Sequence, residues 1–325
     1  QVLWPCSRCY EALLHLTVQA MGCDFGGATQ ILAIAGIVSV QAVFAGYQLL
    51  GHAVLTSGLN PIAFSLLREL SASVVFILAA LAFVPRSGWP RAKHICRFAF
   101  CGLSMFGNVF LNLLALTVTT GSMVALLQPT QPVFASMLAA FLGHEQMTWK
   151  KLLGMILCII GGFLESMSQH GHKGGINVGV LLILGQCLSG ANYVVQQRPL
   201  IRAGYSPLIV SSCSYVLASV FTVLVGGIYF ALMSPEERAH VEWWDSSASF
   251  VGVLVYCVLM TTVYNYIVIA WVTGRLGATV VTLFTLMQGV FACAAEYVCF
   301  GAPILLNQAI GCLAVFAGLV VVVEA

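Results

Sequence analysis

Charge is what this sequence lacks. Thirteen Lys or Arg and eleven Asp or Glu make up 7% of 325 residues, while 60% are hydrophobic. A soluble domain carries roughly 25% charged residues. A water-facing surface cannot be assembled from so few, so lipid has to cover most of the chain. The net charge of +2 comes without a basic patch, which excludes nucleic acid as a partner. Also missing are a Walker A phosphate loop and an HExxH metal pair. ATP drive and metallohydrolase chemistry go with them, and the chain reads as a non-enzyme with no metal and no cofactor. The twelve cysteines supply no disulfide framework. Cys101, Cys158, Cys187, Cys213, Cys257, Cys293 and Cys312 sit singly in apolar runs, where Cys acts as a small hydrophobe. Cys6 and Cys9 form a CxxC with no second pair to complete a zinc site. No cleavable signal peptide is read in the first 30 residues, which Arg8, Glu11, His15 and Asp24 interrupt.

What is present is apolar sequence, with a mean hydropathy of +0.98. A bilayer-spanning helix needs about 20 mainly apolar residues. Cutting at charged, Pro and Gly-rich breaks predicts ten transmembrane helices, near 31–55, 61–84, 96–117, 121–142, 151–167, 178–198, 207–232, 248–272, 277–299 and 304–323. The basic residues test that count. With the N-terminus in the cytoplasm, Arg8, Arg86, Arg91, Lys93, Arg97, Lys150, Lys151, Arg198, Arg202 and Arg275 all fall inside. Only Lys173 and Arg238 fall outside, and Arg68 lies within span two, so the bias is positive-inside. Both termini are then cytoplasmic in a multi-pass protein of the plasma membrane or an organelle. The outer loop after Ser234 carries Glu236, Glu237 and the pair Trp243-Trp244, which fits a short interfacial helix or an external recognition site.

The chain also matches itself. At an offset of 157 residues Val124, Leu126, Gln131, Val133, Phe134, Ala135, Gly154 and Gly161 meet identical residues at 281, 283, 288, 290, 291, 292, 311 and 318, and Asn108 meets Asn265. The offset spans five helices, an odd number, so the copies must lie in opposite orientations. The reading is an all-α integral membrane fold of two inverted five-helix repeats. A segment 1–30 precedes the first repeat (31–167), and a linker (168–177) joins it to the second (178–325). Inverted repeats suit alternating access, because the two halves can exchange shapes about a midplane site.

The stretch from Thr120-Gly121-Ser122 to Glu165 carries the resemblance to a family. With Pro129, Pro132, the turn Leu142-Gly143-His144-Glu145, Thr148, Gly154 and Gly161-Gly162, it resembles the EamA module of the drug/metabolite transporter superfamily. Gln41, Ala45-Gly46, Asn60-Pro61 and Arg68 are similar to the plant nodulin-like members, which carry the module twice. In the second half Ala302 replaces the turn's Glu, a degenerate copy. The resemblance implies export or exchange of a small solute, in a family whose substrates range over amino acids, nucleobases, hormones and drugs.

Polar groups at membrane depth are expensive, so each is a pathway candidate. Gln131 and Gln288 are repeat-related and at midplane; they line the path or act as interhelical glue. Asn108 and Asn265 form a second pair, with Asn112 one turn from Asn108. Asn192, Gln41 and Tyr47 could complete a polar cavity. Arg68 could hold a substrate carboxylate, pair with a carboxylate of another helix, or snorkel. Glu296 is the candidate proton-coupling group, unless it simply reaches water. The expected function is secondary transport of a small organic metabolite, as exporter or exchanger, with proton coupling an option. Antiport of sugar phosphates or nucleotide sugars in an organelle, and a non-transporting receptor or scaffold, are the alternatives. The partners are the small-molecule substrate and the bilayer, with a homodimer allowed.

Overall fold

The computed structural model describes residues 28–55, 60–118, 127–167, 178–234, 247–300 and 306–323. Cys6 and Cys9, the linker 168–177, the Trp243-Trp244 loop and Ala302 lie outside the described residues. Every regular element described is helical. The α-helices are α1 (Ala28–Leu55), α2 (Pro61–Phe83), α3 (Ile95–Val118), α4 (Thr130–Phe141), α5 (Trp149–Met167), α6 (Val178–Arg202), α7 (Pro207–Leu232), α8 (Ala248–Tyr256), α9 (Asn265–Leu276), α10 (Ala278–Leu283), α11 (Met287–Phe300) and α12 (Leu306–Val323). Among the described residues, seven helical segments are long and apolar enough to cross a membrane. Their lipid-side faces keep Leu78, Leu81, Leu103, Leu181 and Leu313 exposed. Such a surface is stable only in hydrocarbon.

Local chemistry sets where the helices begin. Asn60 caps α2 by accepting from the amides of Ile62 (2.9 Å) and Ala63 (3.2 Å), with Pro61 at the first helical position. Ser206 caps α7 ahead of Pro207, and Ser247 caps α8.

Small residues set how the helices pack. On α5 and α12 the glycines interlock. A Cβ on Gly154 would sit 2.7 Å from the Gly318 carbonyl oxygen, and one on Gly161 would sit 2.6 Å from that of Gly311. Residue 154 meets 318 and residue 161 meets 311, so the two helices run antiparallel. At the centre the Cys158 thiol donates to the Val315 carbonyl (3.6 Å), a residue 157 further along the chain. Backbones approach this closely only where side chains are absent. The other principal packings are α3 on α6 and α7, α2 on α7, α4 on α6 and α10, and α1 on α9 and α11.

Among the described residues, three of the predicted spans are not continuous α-helix. In the predicted span four a turn at Gln128-Pro129 precedes α4, which starts at Thr130. Proline there withholds a backbone donor and clashes with the preceding turn. Span nine is broken into α10, a 3-10 turn at Phe284–Leu286, and α11, without any proline. Instead Thr282 Oγ1 donates to the carbonyls of Ala278 (2.9 Å) and Thr279 (3.0 Å), and Thr285 Oγ1 to that of Thr282 (2.6 Å). Such back-bonding bends helices. In span eight a π-helical stretch, Cys257–Tyr264, joins α8 to α9. The Cys257 carbonyl accepts from both Thr261 Oγ1 (2.6 Å) and Thr262 Oγ1 (2.9 Å), so the loosened backbone stays satisfied at depth.

Candidate functional site

The polar interior is built in three clusters, each where several helices meet. The first lies on α3, α4 and α6. Asn108 Nδ2 donates to the Gln186 carbonyl (3.2 Å), and Asn192 Nδ2 to Ser104 Oγ (2.6 Å). Gly190 makes the notch between them possible: a Cβ there would meet both Asn108 Nδ2 and Gln131 Nε2. Gln131 is buried and accepts at Oε1 from Gln128 Nε2 (3.2 Å) in the broken turn. Asn112 is half-buried on α3.

The second cluster lies on α1, α2, α7 and α9. Asn265, fully buried, donates Nδ2 to the Val40 carbonyl (3.4 Å), beside the equally buried Gln41. Its bond to α1 matches the one Asn108 makes to α6. Among the described residues Arg68 forms its ion pair with its own neighbour, Glu69 (3.2 Å), and not with a carboxylate of another helix. Its Nη1 donates to the Tyr47 hydroxyl (3.2 Å), and its guanidinium carbon lies 5.7 Å from the Tyr47 ring centroid. Thr222 of α7 approaches Glu69 Oε2 (3.5 Å). An aromatic wall, Tyr193, Tyr266, Tyr215 and Phe76, runs along this cluster with ring centroids 5.3 to 5.9 Å apart. Buried polar atoms without a partner collect here: Gln41 Oε1, Arg68 Nε, Tyr193 Oη, Ser214 Oγ, Asn265 Oδ1 and both amide atoms of Gln197. Unmet hydrogen-bonding capacity is rare in protein interiors, and a polar solute can use it.

The third cluster closes one end of the bundle. Glu145, in the turn after α4, accepts from Arg198 Nη1 of α6 (2.9 Å) and from the Ala278 amide that starts α10 (2.6 Å). Arg198 Nη1 also donates to the His144 carbonyl (3.0 Å). Gly277, at φ +92°, admits the carboxylate: a Cβ there would lie 2.5 Å from Glu145 Oε1. Glu145 thereby ties the region before α5 to the region after α9.

The predicted residues therefore fall into two groups. Asn108, Gln131 and Asn192 converge in the first cluster, while Tyr47, Arg68, Gln41 and Asn265 share the second. Gln288 is half-buried on α11, which packs on α1, and no hydrogen bond joins it to Gln131. Glu296 is on α11 too, but its side chain lies outside the described residues. The partnership of Glu145, Arg198 and Ala278 was not foreseen. The Leu142-Gly143-His144-Glu145 turn is visible in sequence, but its partners stand 53 and 133 residues away. Nor was Gln197 foreseen as a neighbour of the site. Among the described residues no group of three or more His, Cys, Asp or Glu could hold a metal ion.

Known proteins resemble this chain along nearly its whole length. A WAT1-related protein of Arabidopsis thaliana is 23% identical over 98% of this chain and 92% of its own. The Arabidopsis protein WALLS ARE THIN 1 is 21% identical over 87% of this chain and 80% of its own. The uncharacterized transporter YdfC of Bacillus subtilis is 28% identical over 70% of each. One solved crystal structure shares the fold, with a TM-score of 0.67 at 18% identity over 87% of this chain and 94% of that one. The EamA-like transporter family model matches residues 28–167 and 177–324. An apolar helical bundle with a buried polar interior, matched across both stretches, is an integral multi-pass membrane transporter, and the chain belongs to the EamA-like transporter family.

Proposed function

We propose that this protein moves a small organic metabolite across its membrane by alternating access. Two inverted five-helix halves, 31–167 and 178–325, carry the motion, and the solute sits between spans four and nine. The observation that carries the reading is the pair of helix breaks. The turn at Gln128-Pro129 and the 3-10 turn at Phe284–Leu286 overlap at the 157-residue offset, which carries 128–129 onto 285–286, and each comes just before a repeat-related glutamine, Gln131 or Gln288. Discontinuous helices near the midplane are how inverted-repeat transporters expose backbone groups to substrate. The equivalent bonds of Asn108 and Asn265 and the antiparallel glycine crossing support the same symmetry. So does the positive-inside count, which needs ten spans with both termini cytoplasmic. Glu69 neutralises Arg68, which leaves a phosphate-bearing cargo no clamp at the centre and favours the metabolite reading over nucleotide-sugar antiport.

Flux into proteoliposomes tests the site. Gln131→Ala and Gln288→Ala should each lower transport about tenfold, the effect of one lost hydrogen bond to a polar solute. Normal flux in both folded variants would sink the assignment. Coupling is assigned to Glu296: Glu296→Gln should abolish the response of flux to an imposed pH gradient while leaving downhill exchange intact.

Arg68 separates architecture from transport. Arg68→Ala leaves Glu69 buried beside no cation and should cost ~3 kcal/mol, the lower range for breaking a buried pair. Replacing both residues by Met should recover most of that stability in detergent melts, because the desolvation cost disappears with the charges. Transport should nevertheless be lost in the double variant. Full activity there would make the pair purely structural.

A further inference from the structure

A cavity of about 340 Å³ opens at the end of the bundle beside Glu145, lined by His144, Arg198, Pro199, Arg202 and Ala203. We propose that it binds an anion bearing a phosphate group. This rests on the charges around the cavity and stands apart from the transport reading.

The chemistry begins with Arg198. A guanidinium has five N–H donors in a fixed fork. Glu145 and the His144 carbonyl both take Nη1. That leaves the edge formed by Nε and Nη2, the geometry that grips an oxyanion with two parallel hydrogen bonds. Nε is buried without a partner on a side chain only 13% exposed. His144 Nδ1 is likewise buried and unpartnered. Arg202, one turn further along α6, is exposed at the cavity. Arg97, at the start of α3, is close enough for its charge to act on His144. Burial first, and then Arg97, Arg198 and Arg202, hold the His144 imidazole below its ordinary value, against the opposing pull of Glu145.

Two guanidinium groups, those of Arg198 and Arg202, thus line one small space, Arg97 adds its charge at His144, and the nearby carboxylate, Glu145, already bridges Arg198 Nη1 and the Ala278 amide. The imbalance asks for a ligand of more than one negative charge. Basic pockets between helix ends on the cytoplasmic side hold phosphorylated lipid headgroups for this reason. A soluble phosphate would satisfy the same donors. Because Glu145 uses Nη1 and the ligand would use Nε and Nη2, the two bind Arg198 together.

The test uses the full chain in phosphatidylcholine nanodiscs and reads thermal unfolding, since a ligand of the folded state stabilises it. One arm titrates inorganic phosphate, with sodium chloride at matched ionic strength as the control. A second arm replaces part of the lipid with a phosphatidylinositol bisphosphate. Stabilisation in the first arm identifies a soluble phosphate, and stabilisation in the second alone identifies a lipid headgroup. In either case Arg202→Gln and Arg97→Gln should each weaken binding about fivefold. His144→Gln, which keeps a hydrogen-bonding side chain, should weaken it less. Absence of stabilisation in both arms overturns the proposal. So does stabilisation that the double variant Arg97→Gln with Arg202→Gln leaves unchanged.

Discussion

Glu145→Ala should open the end of the bundle that Glu145 closes. The carboxylate makes two bonds, to Arg198 Nη1 at 2.9 Å and to the Ala278 amide at 2.6 Å. Both are charge-assisted, and each such bond is worth about 1.5–3 kcal/mol. Arg198 is partly exposed and regains water when its partner goes, so a net loss of ~2 kcal/mol is the reasonable figure. That shifts the balance between closed and open ends roughly 30-fold. Hydrogen exchange at the Ala278 amide should accelerate by a similar factor, and solute flux should change with it, because one gate no longer seals. Glu145→Gln retains an acceptor for the amide but no charge for Arg198, so it should fall between Ala and wild type. If exchange over 278–283 is the same in all three proteins, the bridge does not hold this end shut. The physical interest lies in which segments are joined. The turn lies in the first family-matched stretch and α10 in the second, so their separation is the motion that the proposed alternating access requires.

The second large effect is expected at the crossing of α5 and α12. Gly161→Ala places a methyl group 2.6 Å from the Gly311 carbonyl oxygen and 2.7 Å from the Val315 nitrogen. Both are backbone atoms and cannot turn aside as a side-chain tip can. Gly318→Ala meets the Gly154 carbonyl oxygen at 2.6 Å and the Cys158 nitrogen at 2.7 Å. Alanine gains up to ~1 kcal/mol over glycine in helix propensity, while overpacking typically costs ~1–3 kcal/mol. Here the helices must separate along their whole contact, so the cost should win and both variants should melt several degrees lower in detergent. Gly227 and Gly252 provide the control, since nothing lies within 4 Å of a Cβ at either. Gly227→Ala and Gly252→Ala should be neutral or slightly stabilising. Equal behaviour of all four variants would mean that the crossing tolerates separation.

The sequence by itself determined that the chain lies in a membrane. Seven per cent charge forces a bilayer, and the apolar runs fall where helices form, because a membrane-spanning backbone must satisfy its own hydrogen bonds. Gly154, Gly161, Gly311 and Gly318 were legible as a packing stripe, since their spacing puts them on one helix face. Pro129 announced the break in span four.

The break in span nine was not legible in the same way. No proline marks it, and threonine hydroxyls that bond their own preceding turns make it instead. Nor could composition say that Arg68 is neutralised by the residue beside it, or that Asn108 and Asn265 spend their amides on neighbouring backbones. Hydropathy records depth and periodicity, but it carries no information about which helix lies next to which. Only the tertiary structure brought Glu145, Arg198 and Ala278 to one point, because contacts spanning 53 and 133 residues exist only once the helices have packed.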